Sequence, residues 1–274
     1  MTHDIADLLP GPDDIAHYRE HGYWISPVIL PPEVLDAAER GMARYYAGDL
    51  DTPDGDWAPP PAAGLRKNDY ASLHVGELAA LVAQPALAAT AAALSGADTI
   101  RLWHDQLLHK PPDQGGTGAN VGWHTDRQYW QCCTSDSMLT AWVGFHDVEE
   151  AGGSVSFIAG SHRWDVAGLD FFSQDLGALE AELAGQGHRL DIRPTRMKRG
   201  QVSFHHCRTV HGSGPNVGTE PRRSLAIHLQ PGDNRFRPSA DSHGNNGLVR
   251  LRDGVPDYTD PRVCPQLWPA PRKG

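Results

Sequence analysis

The chain has 274 residues, 39% of them hydrophobic and 21% charged, which excludes a disordered or fibrous protein. Its formal net charge of -10 argues against a general nucleic-acid binder. The length suits one large domain or two small ones. The 29 Gly and 22 Pro favour many turns, and hence short strands rather than long helices.

Two features of the sequence, its cysteines and its N-terminal stretch, indicate the cellular compartment in which we expect the protein. The four cysteines show no CxxC spacing, so they indicate neither a disulfide framework nor a zinc site and favour a reducing compartment. The stretch MTHDIADLLPGPDD lacks the basic start and the apolar core of a signal peptide. We therefore expect a cytoplasmic protein.

The N-terminal part, about residues 12–97, begins with helical patterns. GPDDIAHYREHG predicts a helix with Asp13 or Asp14 at its cap and Gly22 at its end, and YWISPVI predicts a short strand. PPEVLDAAERGMARYYAG predicts a second helix. Residues 49–64 are rich in Pro, Gly and Asp and predict a surface loop.

An Ala-rich stretch, ELAALVAQPALAATAAALSG, is the most apolar part of the chain. It is interrupted at Gln84 and Pro85, and Gly96 marks a helix end. We therefore expect two short helices and no membrane span.

The pattern changes to short apolar runs beyond residue 97. Residues 163–188 predict an insertion with helical character, and 231–274 a C-terminal tail. Early helices followed by short strands predict a mainly β fold braced by helices, a β-barrel or jelly roll in a single domain with its core at about 98–230. The runs that predict strands are 99–110, 139–148, 154–160, 201–207 and 223–229.

A histidine and an aspartate two positions apart, His124 and Asp126, occur in the stretch GWHTDRQYW. Strand periodicity is two, so this spacing at a strand end puts both side chains on one face. Non-haem Fe(II) oxygenases hold iron with two histidines and one carboxylate. The alternative interpretation is a polar loop capped by the neighbouring aromatic rings, since a lone HxD pair arises readily by chance.

A third ligand and a cation follow later in the chain. His211 ends a strand-like run, a Gly-rich turn follows, and Arg222 opens the next strand eleven residues on. An arginine there can pair with the distal carboxylate of a dicarboxylic acid. We favour His211 over the structural candidates His205, His206 and His228 because of its spacing to Arg222.

The segments WHTD…YW, AWVGFHDVEEAGGSVSFIAGSHR and HGSGPN…RRS together resemble the phytanoyl-CoA dioxygenase family of Fe(II)/2-oxoglutarate-dependent oxygenases. The resemblance covers about residues 14–230. It implies a double-stranded β-helix, a distorted cupin-like jelly roll, with iron at one end bound by His124, Asp126 and His211.

The resemblance also implies the rest of the cosubstrate site. Arg222 and Ser213 would hold the distal carboxylate of 2-oxoglutarate, and Trp142 and Gln106 match positions that commonly line this site. The chemistry implied is O2-dependent decarboxylation of 2-oxoglutarate to succinate, coupled to hydroxylation of a C–H bond. Halogenases of the family replace the carboxylate ligand with a small residue, so Asp126 favours hydroxylation.

Other outcomes stay open at this point. Desaturation, cyclisation and stereoinversion share every ligand with hydroxylation. A rival of another class is a cupin-like metal-binding protein or a zinc hydrolase, which would need neither Arg222 nor Ser213.

The substrate is expected to be a small molecule, and the oligomeric state is left open. The excess of Arg over Lys, with abundant Ala, suggests a GC-rich bacterial genome, where such oxygenases often modify natural products. No basic platform for the phosphates of an acyl-CoA is apparent. Candidate contacts lie in two stretches expected at the pocket rim: Arg66, Lys67 and Asn68, then Arg127, Gln128, Tyr129 and Trp130.

Adjacent arginines open the strand RRSLAIHL, and they must point to opposite faces. Arg222 shares its face with Ser224, Ala226 and His228, which are small or polar. Arg223 shares its face with leucine and isoleucine. We therefore expect Arg222 to point into the pocket and Arg223 to point to the outer face.

Overall fold

The computed structural model describes residues 5–52, 64–113, 119–166 and 168–270. Most of the loop predicted at 49–64 lies outside the described residues.

Five of the described α-helices lie where the sequence patterns predict them, and α6 lies in the region predicted to be a tail. Glycines end three of the helices. Gly22, Gly48 and Gly96 adopt left-handed backbone angles, which a residue without Cβ does at no steric cost. The insertion at 163–188 contains one helix. In the described part of the chain the α-helices are α1 (Pro12–His21), α2 (Pro32–Ala47), α3 (Gly76–Val82), α4 (Pro85–Ser95), α5 (Leu176–Gly185) and α6 (Asn245–Leu248).

The cap of α1 differs from the prediction. Gly11, not Asp13 or Asp14, is the N-cap residue. Asp14 lies one turn in, and its carboxylate accepts the backbone N–H of Gly11 at 2.9 Å and the indole N–H of Trp24 at 2.9 Å. Pro12 occupies the first helical position, where its missing N–H costs nothing, and this shifts the helix start toward the N-terminus.

Two antiparallel sheets form the body of the fold, which confirms the mainly β prediction. The larger sheet has the order β1-β8-β5-β10-β3-β13, with β2 also paired to β3, and the smaller has the order β4-β9-β6-β7. The strands are β1 (Tyr23–Ile25), β2 (Arg66–Asp69), β3 (Ile100–Lys110), β4 (Val121–His124), β5 (Leu139–Gly144), β6 (Ser156–Ile158), β7 (Ile192–Pro194), β8 (Val202–His206), β9 (His211–Ser213), β10 (Arg222–Pro231), β11 (Leu251–Arg252), β12 (Val255–Pro256) and β13 (Gln266–Trp268).

Strand alternation divides the larger sheet into two faces. On β10, Leu225, Ile227 and Leu229 are fully buried in the main apolar core, together with side chains of α2, α3 and α4. Positions 222 and 226 of the same strand line the cavity that also contains the HxD pair. The helices therefore brace one face of the sheet, and the other face is left for the site.

The region predicted to be a tail is packed against the sheet. β13 pairs with the start of β3, and Tyr258 and Cys264 are buried beside Trp103. No periodic pattern marks these short segments, because two or three residues per strand are too few to show alternation.

One helical stretch of the described chain, Gly76–Ser95, is long and apolar enough to cross a membrane by length and composition alone. It consists of α3 and α4, which break at Gln84 and Pro85 as predicted, and 61% of its most apolar window is buried in the fold. Its apolar residues are thus accounted for by core packing.

The bridge made by Asp14 gives a stability prediction. Asp14→Ala should lower the free energy of unfolding by about 1–3 kcal/mol, because the N–H groups of Gly11 and Trp24 lose a charged acceptor. Urea denaturation at neutral pH measures the change. Asp13→Ala is the matched control, since Asp13 is exposed on the same helical turn. Equal unfolding midpoints for the two variants would contradict the assignment.

Candidate metal and cosubstrate site

His124, Asp126 and His211 meet between the two sheets. His124 ends β4, Asp126 begins the short 3-10 turn that follows it, and His211 opens the paired strand β9 directly opposite His124. The Nε2 atoms of His124 and His211 lie 4.0 and 3.7 Å from Oδ1 of Asp126. All three side chains are buried. Among the described residues, they form the group whose ligand atoms lie close enough together to bind one metal ion.

Both imidazoles are oriented by backbone carbonyls. Nδ1–H of His124 donates to the carbonyl of Gly122 at 2.8 Å, and Nδ1–H of His211 donates to that of Thr209 at 2.9 Å. Each Nε2 lone pair is therefore free to bind a metal ion. Burial lowers the pKa of both histidines, which favours the neutral form that a metal ligand requires.

Asp126 uses its two oxygens differently. Oδ1 faces the histidines, whereas Oδ2 accepts the hydroxyl of Thr140 at 2.6 Å and Nε2–H of His205 at 3.2 Å. Burial opposes ionisation, but His211, His228 and the hydrogen bond from His205 outweigh it and hold the pKa of Asp126 well below its usual range. The donor set of two neutral imidazoles and one carboxylate fits a non-haem Fe(II) ion.

Thr140 also connects Asp126 to a third histidine. Its hydroxyl lies 2.7 Å from Nδ1 of His228. The hydroxyl has one proton, which it donates to the ionised carboxylate, so it must accept from Nδ1–H of His228. The sequence alone indicates only structural roles for His205 and His228. In the structure, His205 is hydrogen-bonded to Asp126 directly and His228 through Thr140.

The predicted cosubstrate residues line one chamber behind the triad. Gln106, Trp142, Ser213 and Arg222 all border it. Arg222 is buried, lies 5.3 Å from the Trp142 ring and donates to the carbonyl of Gly153. Burial lowers the pKa of Arg222 to about 10, which leaves it charged at neutral pH.

Two buried hydrogen-bond donors beside this chamber have no partner among the described residues, as expected for a site that binds an anion. Nε of Arg222 and Nε1 of Trp142 are buried and have no hydrogen-bond partner among the described residues. Arg222 also has no carboxylate partner there, because none of the ion pairs in the described part of the chain includes it. A buried cation without a counter-ion is costly. The chamber thus fits a carboxylate such as the distal group of 2-oxoglutarate.

A second, larger cavity of about 710 Å³ borders two of the three candidate ligands, His124 and Asp126. Of the candidate substrate contacts, Lys67, Gln128, Tyr129 and Trp130 line it. Its other described lining includes several rings and the carboxylates of Asp69 and Asp241. The rings are those of Tyr70, His104, Phe171, Phe172, His228 and His243.

Three of the candidate contacts lie elsewhere. The guanidinium of Arg66 lies over the Tyr46 ring at 5.2 Å, on the helix side of β2, and Asn68 shares that face of the strand. Arg127 bonds Asp136 at 2.8 Å and the carbonyl of Cys133 at 3.2 Å, so it fixes its own turn.

The aromatic cover of the triad differs in one ring from the sequence pattern. Trp123 precedes His124 on β4 and so points the opposite way, into an apolar cluster with Leu179 and Leu183 of α5. Phe171 takes its place, with its ring edge-on to His124 at a centroid distance of 4.8 Å.

Gly122 makes that replacement possible. A Cβ at this position would lie 1.9 Å from the carbonyl oxygen of Asp170. The missing side chain lets the 170–173 segment approach β4, where N–H of Gly122 donates to the carbonyl of Phe171 at 2.8 Å.

The site also contains residues that sequence reasoning missed, and strand periodicity is the signal that could have found them. Thr140 lies two positions before Trp142 on β5, and Lys110 lies four after Gln106 on β3. Both therefore share the inward face with a residue already assigned to the site.

Fold and site together define a class of protein. Two antiparallel sheets enclose two histidines and one carboxylate, with an unpaired arginine behind them. This is the architecture of the jelly-roll, non-haem iron oxygenases that use 2-oxoglutarate. The chain belongs to the phytanoyl-CoA dioxygenase family, whose model matches residues 18–224.

Curated relatives carry related names. A probable alpha-ketoglutarate-dependent hypophosphite dioxygenase of Stutzerimonas stutzeri is 31% identical over 141 residues, or 50% of this chain and 47% of that protein. The ectoine dioxygenase of Bordetella parapertussis is 29% identical over 254 residues, or 85% of this chain and 79% of that protein. The human peroxisomal phytanoyl-CoA dioxygenase is 24% identical over 136 residues, or 49% of this chain and 40% of that protein. The chain thus spans about half the length of the first and third of these relatives.

Solved structures confirm the fold. The α-ketoglutarate-dependent epimerase SnoN from nogalamycin biosynthesis superposes with a TM-score of 0.71 at 26% identity, covering 96% of this chain and 100% of that one. EctD from S. alaskensis, solved with 2-oxoglutarate and 5-hydroxyectoine, has a TM-score of 0.70 at 22% identity, covering 96% and 90%. At this identity the second comparison supports the fold alone. SnoN has also been solved in complex with Fe3+, alpha ketoglutarate and nogalamycin RO, with a TM-score of 0.72 at 26% identity. Together with the three clustered side chains, these structures confirm iron and 2-oxoglutarate as the expected cofactors.

The bond from Thr140 to Asp126 gives a metal-affinity prediction. Thr140→Val should weaken metal binding by about 10–100-fold, because the carboxylate loses the hydroxyl that orients it. Anaerobic titration with Fe(II) or Mn(II) measures this. Thr140→Ser keeps the hydroxyl and should bind as the wild type does. If valine and serine variants had equal affinity, the bond would have no role in orienting Asp126.

Proposed function

We propose that this protein is an Fe(II)- and 2-oxoglutarate-dependent oxygenase that hydroxylates a C–H bond of a small molecule with O2. The observation that carries the proposal is that two of the three candidate ligands, His124 and Asp126, border both chambers, while His211 borders the smaller one. Gln106 and Phe171 also border both chambers. One chamber ends at a buried arginine and suits a dicarboxylate, and the other has room for an organic substrate.

When bound at the three ligands, iron would activate O2 at the expense of 2-oxoglutarate. The chain's own residues supply positioning and shelter. Arg222 and Ser213 would hold the cosubstrate by its distal end, while Phe171, Tyr129 and Trp130 limit the access of water. A cupin-like binding protein or a zinc hydrolase would have no use for the unpaired Arg222, which disfavours both rivals.

The substrate we propose is a polar, ring-containing natural product of bacterial metabolism that carries no phosphate or other strongly anionic group. The support is the lining of the large cavity. Among its described residues the one Lys or Arg is Lys67, and the Lys67 amine donates a hydrogen bond to Asp69 at 3.1 Å. That lining offers no cluster of cations for the phosphates of an acyl-CoA. SnoN is an enzyme of nogalamycin biosynthesis, which favours the same class.

A cytoplasmic location is part of the proposal. The four cysteines are buried and free, as expected in a reducing compartment.

Epimerisation is a second candidate outcome, favoured by the likeness to SnoN across nearly the whole chain. A screen of ring-containing natural products, scored by succinate release under 18O2, separates the two. Hydroxylation places one 18O atom in the product, whereas epimerisation changes stereochemistry without gain of oxygen. Absence of 2-oxoglutarate-dependent succinate release, with and without candidate substrates, would contradict the proposed class.

Asp126 is the ligand on which the hydroxylase assignment depends. Asp126→Gly should abolish succinate formation coupled to hydroxylation, because the charged ligand is lost, while the two histidines retain weak metal binding. Succinate assay and metal titration measure the two effects, and thermal unfolding checks that the fold is kept. Undiminished turnover in this variant would rule out the two-histidine, one-carboxylate site.

The two adjacent arginines provide a matched pair for the cosubstrate. Arg222→Ala should raise the dissociation constant of 2-oxoglutarate by about two orders of magnitude or more, because a buried charge partner worth roughly 3–5 kcal/mol is removed. Arg223→Ala should change it little, since that side chain is partly exposed on the outer face, 3.8 Å from Glu39. Titration of 2-oxoglutarate ranks the variants, and the reverse order would refute the assignment of the distal carboxylate to Arg222.

A further inference from the structure

A second buried cation, Lys110, lies beside Arg222. The two residues are direct partners in the pairing of β3 with β10, so both side chains point to the inner face. Lys110 is fully buried, and the ion pairs of the described residues include neither cation. Arg222 lines the chamber, and Lys110 lies behind Ser213, which also lines it. Two cations without an ion pair among the described residues exceed what a single arginine–carboxylate contact requires.

Among the described residues, the hydrogen-bond partners of the Lys110 amine are all oxygens. Nζ lies 2.6 Å from Oγ of Ser213, 2.6 Å from the carbonyl of Gly214 and 3.4 Å from the carbonyl of Ser213. Carbonyl oxygens only accept, so the amine donates a hydrogen to each of them.

The remaining contact, to the Ser213 hydroxyl, can be made in two ways. A neutral amine has no third hydrogen, so the Ser213 hydroxyl would donate its proton to the nitrogen. An ammonium group donates its third hydrogen to Oγ, and the hydroxyl proton is then free to point into the chamber. In the second arrangement alone can Ser213 donate to a carboxylate.

We propose that Lys110 is a positioning residue for the cosubstrate: as an ammonium group it holds Oγ of Ser213 and directs the hydroxyl proton to the distal carboxylate of 2-oxoglutarate. This inference rests on the proposed function. Lys110 acts through Ser213, whereas Arg222 would contact the carboxylate itself.

The surroundings of Lys110 couple this arrangement to ligand binding. Burial and the charge of Arg222 lower the pKa of Lys110 to about 5, and Asp113 opposes them weakly from the loop after β3. β9 and the residue after it place the uncharged oxygens of Ser213 and Gly214 against the amine. A carboxylate entering the chamber adds the missing negative charge and raises the pKa, so the amine takes up a proton at neutral pH. Affinity should therefore fall as pH rises toward the pKa of the bound state.

Calorimetric titration of 2-oxoglutarate into the Zn(II)-loaded protein tests this without turnover. In two buffers of different ionisation enthalpy at pH 7.5, the wild type should take up about one proton per ligand, and Lys110→Met should take up none. Equal uptake by the wild type and Lys110→Met, zero included, overturns the coupling of Lys110 protonation to ligand binding, and the affinities of the variants test its action through Ser213. The wild-type measurement stands even if the variant does not fold.

Affinities provide the second readout. Lys110→Met and Ser213→Ala should each weaken 2-oxoglutarate binding by about tenfold or more, and the double variant should be no weaker than the worse single one. Binding of 2-oxopentanoate, which lacks the distal carboxylate, should be unchanged by Lys110→Met. Additive losses, or an equal loss for both ligands, would reduce Lys110 to a structural role. If the wild type bound no 2-oxoglutarate, the proposed function itself would fail.

Discussion

A carboxylate buried between two sheets imposes the main constraint on this molecule. Asp126 must stay ionised to serve as a ligand, and an ionised carboxylate in a protein interior requires hydrogen-bond donors on the side away from the metal. Thr140 of β5 and His205 of β8 supply them directly, and His228 of β10 supports Thr140. Three adjacent strands of the larger sheet thus converge on one oxygen atom, which ties the register of the sheet to the geometry of the ligand.

The same strands carry the apolar core on their opposite face. Leu225 and Ile227 of β10 are fully buried on the helix side, while the residues between and beside them face the chamber. A slip of one residue would place leucines beside the ligands and arginine in the core. Burial of the apolar residues on one face of the sheet therefore fixes the strand register. The register in turn places the polar groups on the other face without further side-chain contacts.

Much of this arrangement could be predicted from the sequence, because it depends on local rules. The helix ends at Gly22 and Gly96, the break at Pro85 and the opposite faces of Arg222 and Arg223 follow from backbone sterics and strand alternation. The ligand set followed from spacing and from family resemblance. The sequence could not reveal contacts between distant segments. Examples are the approach of Phe171 to His124, the pairing of β13 with β3, and the contact between Lys110 and Ser213, 103 positions apart.

The segment that carries Phe171 covers the site, and the contacts that hold this segment differ from those that stabilise the fold. No ladder of strand hydrogen bonds holds it. Its described anchors are single bonds, from Gly122 to the carbonyl of Phe171, from Gln128 to that of Leu169, and from the N–H of Phe171 to the hydroxyl of Tyr129. Such a segment opens by a local equilibrium whose free energy is smaller than that of global unfolding. The exposure of the candidate iron ligands to solvent is therefore governed by a few bonds at the rim, and a substitution there can change it while the melting temperature stays the same.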